Sequence, residues 1–223
     1  FSPHAKKYWT HQFQHIYIWF FYCLATISWI TTKDFVRVTR YYKMGFLNKK
    51  NEFRNAIVSI AAWKVLYYSF AIIMPLVIVD LPWWHILLAF LSMHFITGLL
   101  ISLVFQVAHI MPSSEFPLPD EDGLIAGDWS THQFATTANY SPGSNIFSWL
   151  IGSLNYQIEH HLFPGICHVH YKELSKIVID TAKEHGMPYS SNRTFFTAIR
   201  AHVKMLRELG NMEQIPEQTA VIQ

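Results

Sequence analysis

Two long apolar runs, separated by a short turn, constrain this chain more than any other feature. Residues 57–79 contain one charged side chain, Lys64, and residues 83–108 contain none. A helix rises about 1.5 Å per residue, so either run is long enough to cross the roughly 30 Å hydrocarbon core of a bilayer. The Asp-Leu-Pro turn at 80–82 ends the first run, because proline is poorly tolerated inside a helix. The sequence therefore predicts a transmembrane helical hairpin.

The composition fits a chain that lies partly in a membrane and partly in water. Apolar residues make up 51% of the chain and charged residues 14%, whereas a typical soluble domain is about 25% charged. Such a chain is too hydrophobic and too weakly charged to be intrinsically disordered. Its mean hydropathy of +0.16 is low for a chain that is wholly membrane-embedded. The net charge of +2 gives no broad basic field, so nucleic acid is not expected as a partner.

The distribution of charge predicts how these segments face the membrane. Residues 33–54, which we expect to form a loop, are rich in lysine and arginine, so the positive-inside rule places them in the cytoplasm. The apolar run at 16–32 is barely long enough to cross and has basic residues on both sides, which favours an interfacial helix over 12–32. Residues 110–210 then return to the cytoplasm as a helical cap. The predicted fold is an all-α membrane protein with a transmembrane helical hairpin, an interfacial helix and this cytoplasmic cap.

The end of the cap has the apolar periodicity of two amphipathic helices, in 172–186 and 193–210. The Gly-Met-Pro sequence at 186–188 separates them, and we expect Gly210 to cap the second.

Histidine is over-represented, at 13 of 223 residues, and it is the commonest metal ligand in proteins. Cys23 and Cys167 are too few for a disulfide framework or a cysteine-rich zinc site, so we expect both to pack as small apolar side chains. The sequence has no nucleophile elbow, phosphate-binding loop or dinucleotide-binding motif. Metal chemistry is the reactive chemistry that it indicates.

The strongest local signal is the sequence Gln-Ile-Glu-His-His at 157–161. On a helix, Gln157, His160 and His161 are at positions i, i+3 and i+4 and share one face, where they could converge on a metal ion or a metal pair. Imidazole suits iron, zinc and copper. Glu159 points elsewhere and is expected to be a hydrogen-bond or salt-bridge partner. A solvated or packed histidine pair is the more ordinary interpretation, but the neighbouring histidines in a membrane chain weaken it.

Other histidines have two open interpretations each. His109 lies at the end of the second apolar run. It is either a metal ligand at the membrane surface or an interfacial side chain that reaches the lipid headgroups. His94 lies inside the same apolar run. It is either a functional group or a neutral histidine that is hydrogen-bonded within the helical bundle. His11 and His15 have the spacing of a two-ligand clamp or of the polar face of an interfacial helix. His168 and His170 are partners of the metal ligands or surface residues. We assign no function to His4, His85, His132, His185 or His202.

Around these residues the sequence resembles a known family. The run LNYQIEHHLFP at 154–164, followed by His168 and Tyr171, resembles the third histidine box of membrane fatty acid desaturases. Its QxxHH form is typical of front-end desaturases, such as linoleoyl-CoA and acyl-lipid delta-6 enzymes. The stretches FQVAHIMP, TTANYSPGSNIFSWLIGSLN and QHIYIWFFY are also similar to this family, so the resemblance covers nearly the whole chain.

The resemblance implies a helical membrane bundle under a cytoplasmic cap, with two iron ions bound by histidines. His160 and His161 match ligands of the third box, Gln157 matches its first position, and His109 matches an additional ligand. The implied reaction is O₂-dependent introduction of a cis double bond into a long-chain acyl-CoA or acyl lipid, with electrons from cytochrome b5 or ferredoxin. With no HPGG haem-binding motif in the sequence, the resemblance favours a multi-pass protein of a bacterial inner membrane, whose metal site faces the cytoplasm.

The chain departs from the family pattern because the first box, HxxxH, and the second, HxxHH, are missing. His11 and His15 have the HxxxH spacing, but their surroundings resemble the stretch after the second box. We therefore expect residues 1–223 to be the C-terminal part of a single desaturase domain and to be inactive alone. Two alternatives stay open: a related diiron hydroxylase of fatty acids or sphingolipids, and, if the chain is complete, a non-catalytic membrane scaffold subunit.

Overall fold

A computed structural model of the chain describes residues 2–47 and 49–212, and most of them are helical. The α-helices are α1 (Gln14–Cys23), α2 (Ala25–Ser28), α3 (Asp34–Lys43), α4 (Lys50–Tyr68), α5 (Met74–Ile78), α6 (Trp83–His109), α7 (Trp129–Thr136), α8 (Asn145–Leu150), α9 (Gln157–Leu162), α10 (Tyr171–Glu184) and α11 (Phe195–Asn211). Two short strands, β1 (Asn139–Tyr140) and β2 (Ser191–Asn192), pair in parallel and are the departure from the predicted all-α fold.

Among the residues that the structure describes, two helices are long and apolar enough to cross a membrane, as the sequence predicts. One is continuous over Lys50–Ile78, where a π-helical turn at Ser69–Ile73 joins α4 to α5, and the other is α6. The charge inside the first helix is neutralised locally: the Nζ atom of Lys64 donates to the carboxylate of Asp34 at 2.8 Å and to the carbonyl of Ile30 at 2.6 Å. Both hydrogen bonds lower the free-energy cost of placing a charged lysine inside a membrane-spanning helix.

The segment before these helices differs in part from the prediction. The helical stretch Trp9–Cys23 and the following one, Ala25–Lys43, meet at a bend of 55°, and by length and composition the pair is also compatible with a broken span or a re-entrant segment. The interfacial position of residues 12–32 stays a prediction. The expected loop over 33–54 is wrong, because α3 occupies Asp34–Lys43 and α4 begins at Lys50. Basic side chains there lie on an amphipathic helix rather than in an irregular loop.

The described residues divide into two compact units, one of residues 19–102 and one of residues 2–18 and 103–212. In the first unit, α6 packs against the end of α1 at Gly98, where an added Cβ atom would lie 2.5 Å from the carbonyl oxygen of Cys23. Glycine at this position therefore allows the two helix backbones to approach closely.

The second unit is built around the last turns of α6. Its core cluster consists of fully buried residues from α6, β1 and α11 with the segments beside them: Val107, Ala108, Met111, Ala138, Tyr140 and Ala198. The amphipathic helices α10 and α11 form as predicted, but Gly210 does not cap α11. It lies buried inside that helix, and an added Cβ atom would be 2.5 Å from the carbonyl oxygen of His11. Its role is close packing against the 3₁₀ helix Trp9–Phe13.

Candidate metal centre

A network of buried polar groups holds helix α9 in place. Glu159 is fully buried, and its two carboxylate oxygens accept hydrogen bonds from Asn139 Nδ2 at 2.7 Å and Tyr189 Oη at 2.9 Å. Asn139 also accepts from the backbone N–H of Ile158 at 2.9 Å. These bonds tie the first turn of α9 to β1 and to the segment before β2. Glu159 is thus a hydrogen-bond partner, as the sequence predicts, and it fixes the helix that carries the histidine pair.

Three histidines come together beside the end of α6. The ring centroids of His109 and His161 are 5.1 Å apart, and those of His160 and His161 are 5.7 Å apart. His109 is the last residue of α6, whereas His160 and His161 are in the last turn of α9. The structure therefore brings together three of the four site residues that the sequence predicts, from segments about 50 positions apart.

A neighbouring oxygen holds one ring nitrogen of each histidine. His161 Nδ1 lies 3.0 Å from Gln133 Oε1, and His160 Nδ1 lies 3.3 Å from the hydroxyl of Tyr171. The ring of His109 donates to the backbone carbonyl of Thr136. Metal-binding histidines commonly have this arrangement, because one hydrogen-bonded nitrogen fixes the ring and leaves the other nitrogen for the metal.

The surroundings also favour the ligand form of His161. Burial, together with the nearby imidazoles of His109 and His160, lowers the pKa of His161 to about 4. The ring is therefore neutral at pH 7, which is the form that binds a metal ion. The same burial raises the pKa of the Glu159 carboxyl group, although the bonds from Asn139 and Tyr189 act in the opposite direction.

The donors fit part of a metal site. Three imidazoles suit iron, and Gln157, one turn earlier on α9, is buried with its Nε2 atom unpartnered among the described residues. A buried orphan amide indicates that a further group completes this region. Within residues 2–47 and 49–212, however, no three His, Cys, Asp or Glu side chains form a group that could hold a metal ion. A metal ion held here would therefore need ligands beyond these residues.

The remaining histidines have other surroundings. His94 is buried and hydrogen-bonded, with Tyr67 Oη 2.8 Å from Nε2 and Thr26 Oγ1 3.2 Å from Nδ1, which supports the structural interpretation. His11 lies in the 3₁₀ helix that packs on Gly210, and His15 lies in α1. His168 and His170 are both exposed in a short 3₁₀ helix.

The expectation for one cysteine is wrong. Cys167 is exposed beside His168, because the chain there turns along the surface between α9 and α10, whereas Cys23 is half-buried.

Sequence reasoning missed three residues that position the cluster: Gln133, Asn139 and Tyr189. Each is separated from α9 by about 20 to 30 positions, and none carries a local spacing signal. Of these, only Asn139 lies within a stretch, TTANY, that already resembled the family.

The fold and the cluster define the class: a helical membrane protein with a histidine-rich candidate metal site. The chain belongs to the fatty acid desaturase family, since the family's sequence model matches residues 1–193.

Curated relatives agree with this assignment. The chain is 36% identical to an acyl-lipid (8-3)-desaturase of Physcomitrium patens, over 92% of this chain and 42% of that protein. It is 30% identical to the sn-1 linoleoyl-lipid 6-desaturase of Synechocystis sp., over 94% and 58%, and 31% identical to the enzyme of that name in Arthrospira platensis, over 94% and 56%. The chain thus spans about half the length of these relatives. No solved structure matches it significantly.

Proposed function

We propose that this chain, as part of a longer polypeptide, introduces a cis double bond into long-chain fatty acyl groups as a front-end desaturase. The observation that carries the proposal is the cluster of His109, His160 and His161, in which each ring has one nitrogen held by a neighbouring oxygen. It lies in a chain whose family and relatives are fatty acid desaturases.

In this proposal the chain supplies one side of a diiron site. His160, His161 and His109 hold iron through ring nitrogens, and Gln157 lines the same site from one turn earlier on α9. Bound iron supplies the activation of O₂ that removal of two hydrogens from an unactivated acyl chain requires. Gln133, Tyr171 and the Thr136 carbonyl keep the rings oriented, and Glu159 with Asn139 and Tyr189 keeps α9 in register.

The substrate, partners and location follow the same proposal. The two relatives named as sn-1 linoleoyl-lipid 6-desaturases support an acyl lipid over an acyl-CoA as substrate. Cytochrome b5 or ferredoxin supplies the electrons. The protein is a multi-pass membrane protein with its metal site on the cytoplasmic side, in a bacterial inner membrane. The lysine- and arginine-rich stretch at 33–54 supports this orientation.

The test is mutation of the histidine pair in the full-length protein. His160→Ala and His161→Ala each reduce desaturation below detection and lower the bound iron, because each removes a metal ligand. Gln157→Ala and His109→Ala reduce activity by about tenfold or more. Gas chromatography of fatty acid methyl esters measures the product, and elemental analysis measures iron per polypeptide. His185→Ala, at an exposed position after α10, is the matched control and leaves both unchanged.

Retained activity in either alanine variant of the pair rules out the ligand assignment. The same product analysis separates the alternatives. A hydroxylase yields hydroxylated acyl chains, and a scaffold subunit yields neither product nor stoichiometric iron.

A further inference from the structure

Helix α8 and the adjoining start of α11 expose large apolar side chains beside the core cluster of the second unit. Helix α8 turns Ile146, Trp149 and Leu150 outward, and they are 83%, 82% and 71% exposed. Phe196, in the first turn of α11, is 74% exposed. We call these four residues the α8 patch. Contiguous exposed apolar side chains of this size mark a contact surface, because a soluble surface rarely carries them.

The buried side of α8 shows which part of α6 the patch lies beside. Phe147 and Ile151 pack on the cluster that contains Val107 and Ala108. The Phe147 ring is 5.0 Å from that of Phe195, so α8 and the start of α11 are joined.

A hydrogen bond adds a second attachment to α6. The hydroxyl of Tyr140 donates to the carbonyl of Val104 at 2.8 Å, and the Tyr140 ring packs on both Phe147 and Phe195. The patch is therefore carried by residues attached to α6 between positions 103 and 108.

Helix length places these positions at the membrane boundary. At about 1.5 Å per residue, about 20 residues of α6 cross the roughly 30 Å hydrocarbon core. Counted from Trp83, where an interfacial tryptophan marks one boundary, the other boundary falls near Leu103. Elements that pack against positions 103–108 thus lie at the level of the headgroups and the first acyl carbons, where tryptophan is favoured.

Basic side chains lie on the same elements as the patch and beside them. Lys172 donates to Asn145 Oδ1, at the start of α8, at 2.8 Å. Arg200 follows Phe196 by four positions on α11 and is exposed, so both residues lie on the same face of that helix. Arg193 is exposed just before α11. Lysine and arginine side chains beside an apolar surface pair with lipid phosphates while their stems lie along the apolar groups.

From these observations we infer that the α8 patch is embedded in the lipid leaflet in which α6 ends. Trp149, Ile146, Leu150 and Phe196 contact acyl chains near the headgroups, and Lys172, Arg193 and Arg200 contact lipid phosphates. The histidine cluster then lies against the membrane surface, because His109 ends the same helix to which the patch is attached. This inference does not depend on the proposed enzymatic activity.

Site-directed spin labelling of the full-length protein tests the inference. In a background in which Cys23→Ala, Cys167→Ser and the replacement of every cysteine outside residues 1–223 remove all native thiols, single cysteines replace Trp149 and Phe196 and carry a nitroxide label in vesicles of phosphatidylcholine and phosphatidylglycerol. Ile96→Cys, 61% exposed in the middle of α6, is the lipid control, and Asp180→Cys, exposed on α10, is the aqueous control. Collisions with O₂, which partitions into lipid, are compared with collisions with water-soluble nickel chelate.

We expect labels at 149 and 196 to resemble the label at 96, with high O₂ accessibility and low chelate accessibility. High chelate accessibility, as at 180, overturns the inference because the patch then faces water. Low accessibility to both reagents with an immobilised spectrum also overturns it, because another protein segment or a second copy then covers the patch. If a label at 149 prevents folding, labels at 146 and 150 give the same three outcomes.

Discussion

At the scale of single residues, the fully buried carboxyl group of Glu159 determines how well the histidine pair is held. It is joined to Asn139 and Tyr189, which are also joined to each other through a 2.6 Å bond from Asn139 Nδ2 to the Tyr189 hydroxyl. The three side chains thus form a closed ring of hydrogen bonds next to His160. A change in one member removes one hydrogen bond from each of the other two in a buried setting, which is costlier than the loss of one exposed bond.

Glu159→Gln is therefore expected to destabilise the protein by about 2 kcal/mol, because an amide N–H₂ group then faces one of the two donors. The midpoint of thermal unfolding in detergent measures the effect. Glu173→Gln is the matched control: Glu173 is exposed and forms a surface ion pair with Lys176, so its loss changes stability by less than about 0.5 kcal/mol. An equal shift in both variants would show that the buried ring does not stabilise α9.

His202 predicts a dependence of stability on pH. It is fully buried in α11, and its Nδ1 atom lies 3.0 Å from the carbonyl oxygen of Ile110. Burial lowers the pKa of His202 below its ordinary value. Protonation therefore favours the unfolded state, and the contribution of neutral His202 is complete above a pH of about 6.5 and is lost as the pH falls toward the lowered pKa.

The unfolding midpoint should decrease from pH 7 to pH 5, and His202→Gln should make this decrease smaller while it lowers the midpoint at pH 8. Other histidines contribute to the part of the decrease that remains, among them His161, whose pKa is also lowered, to about 4. Thermal scans at these pH values measure the effect, with the exposed His185→Gln as control. An unchanged pH dependence in the His202 variant contradicts this account.

At the scale of helices, the first unit depends on a close contact between α6 and α1. The Cβ atom of an alanine at position 98 would lie 2.5 Å from the carbonyl oxygen of Cys23 and 2.9 Å from that of Tyr22. Both are backbone atoms, so neither moves without displacing a helix. Gly98→Ala is expected to cost about 2 kcal/mol or more. Gly143→Ala, where the added Cβ atom meets nothing within 4 Å, should be neutral in the same unfolding assay.

His94 joins three helices of the same unit. It bonds to Tyr67 in α4 and to Thr26 in α2, and the Thr26 hydroxyl also donates to the His94 carbonyl at 2.8 Å. A double-mutant cycle of His94→Leu and Tyr67→Phe should give a coupling energy of about 1 kcal/mol, in the range of hydrogen bonds between membrane helices. Bound iron in the full-length protein should stay unchanged in His94→Leu. Strictly additive effects, or a loss of iron, would contradict the structural role.

The elements that the sequence predicted are those with a pattern of their own. The two apolar runs predicted α4–α5 and α6, at 57–79 and 83–108. The apolar periodicity predicted α10 and α11, at 172–186 and 193–210. Helices α7 and α8 were not predicted, because such short helices depend on tertiary packing and on caps such as Asp128 and Ser144. The loop expected at 33–54 was wrong because its apolar and charged residues fall on opposite faces of a helix, and Asp34–Lys43 folds as the amphipathic helix α3.

At the scale of the whole molecule, the candidate site was predictable where residues are neighbours on one helix and less so across the chain. The i, i+3, i+4 spacing placed Gln157, His160 and His161 on α9, and the end of the apolar run placed His109 at the membrane surface. Their partners Gln133 and Tyr189 come from distant segments, so only the folded structure shows them. The ligand roles themselves rest on the proposed function.

The incomplete donor set gives a prediction for the chain as a unit. Residues 2–47 and 49–212 contain no group of three or more His, Cys, Asp or Glu side chains that could hold a metal ion, although three imidazoles lie close together. Two or three neutral donors bind a divalent ion weakly, because affinity grows with each added ligand and with the rigidity of the site. Purified residues 1–223 in detergent should therefore retain little iron after gel filtration, whereas the longer protein retains its full complement. Elemental analysis of both preparations, with His160→Ala in the longer protein as the control for specific binding, measures this difference. A full complement of iron on residues 1–223 alone would mean that the histidines described here are sufficient for the metal site, and that the missing boxes are not needed to bind iron.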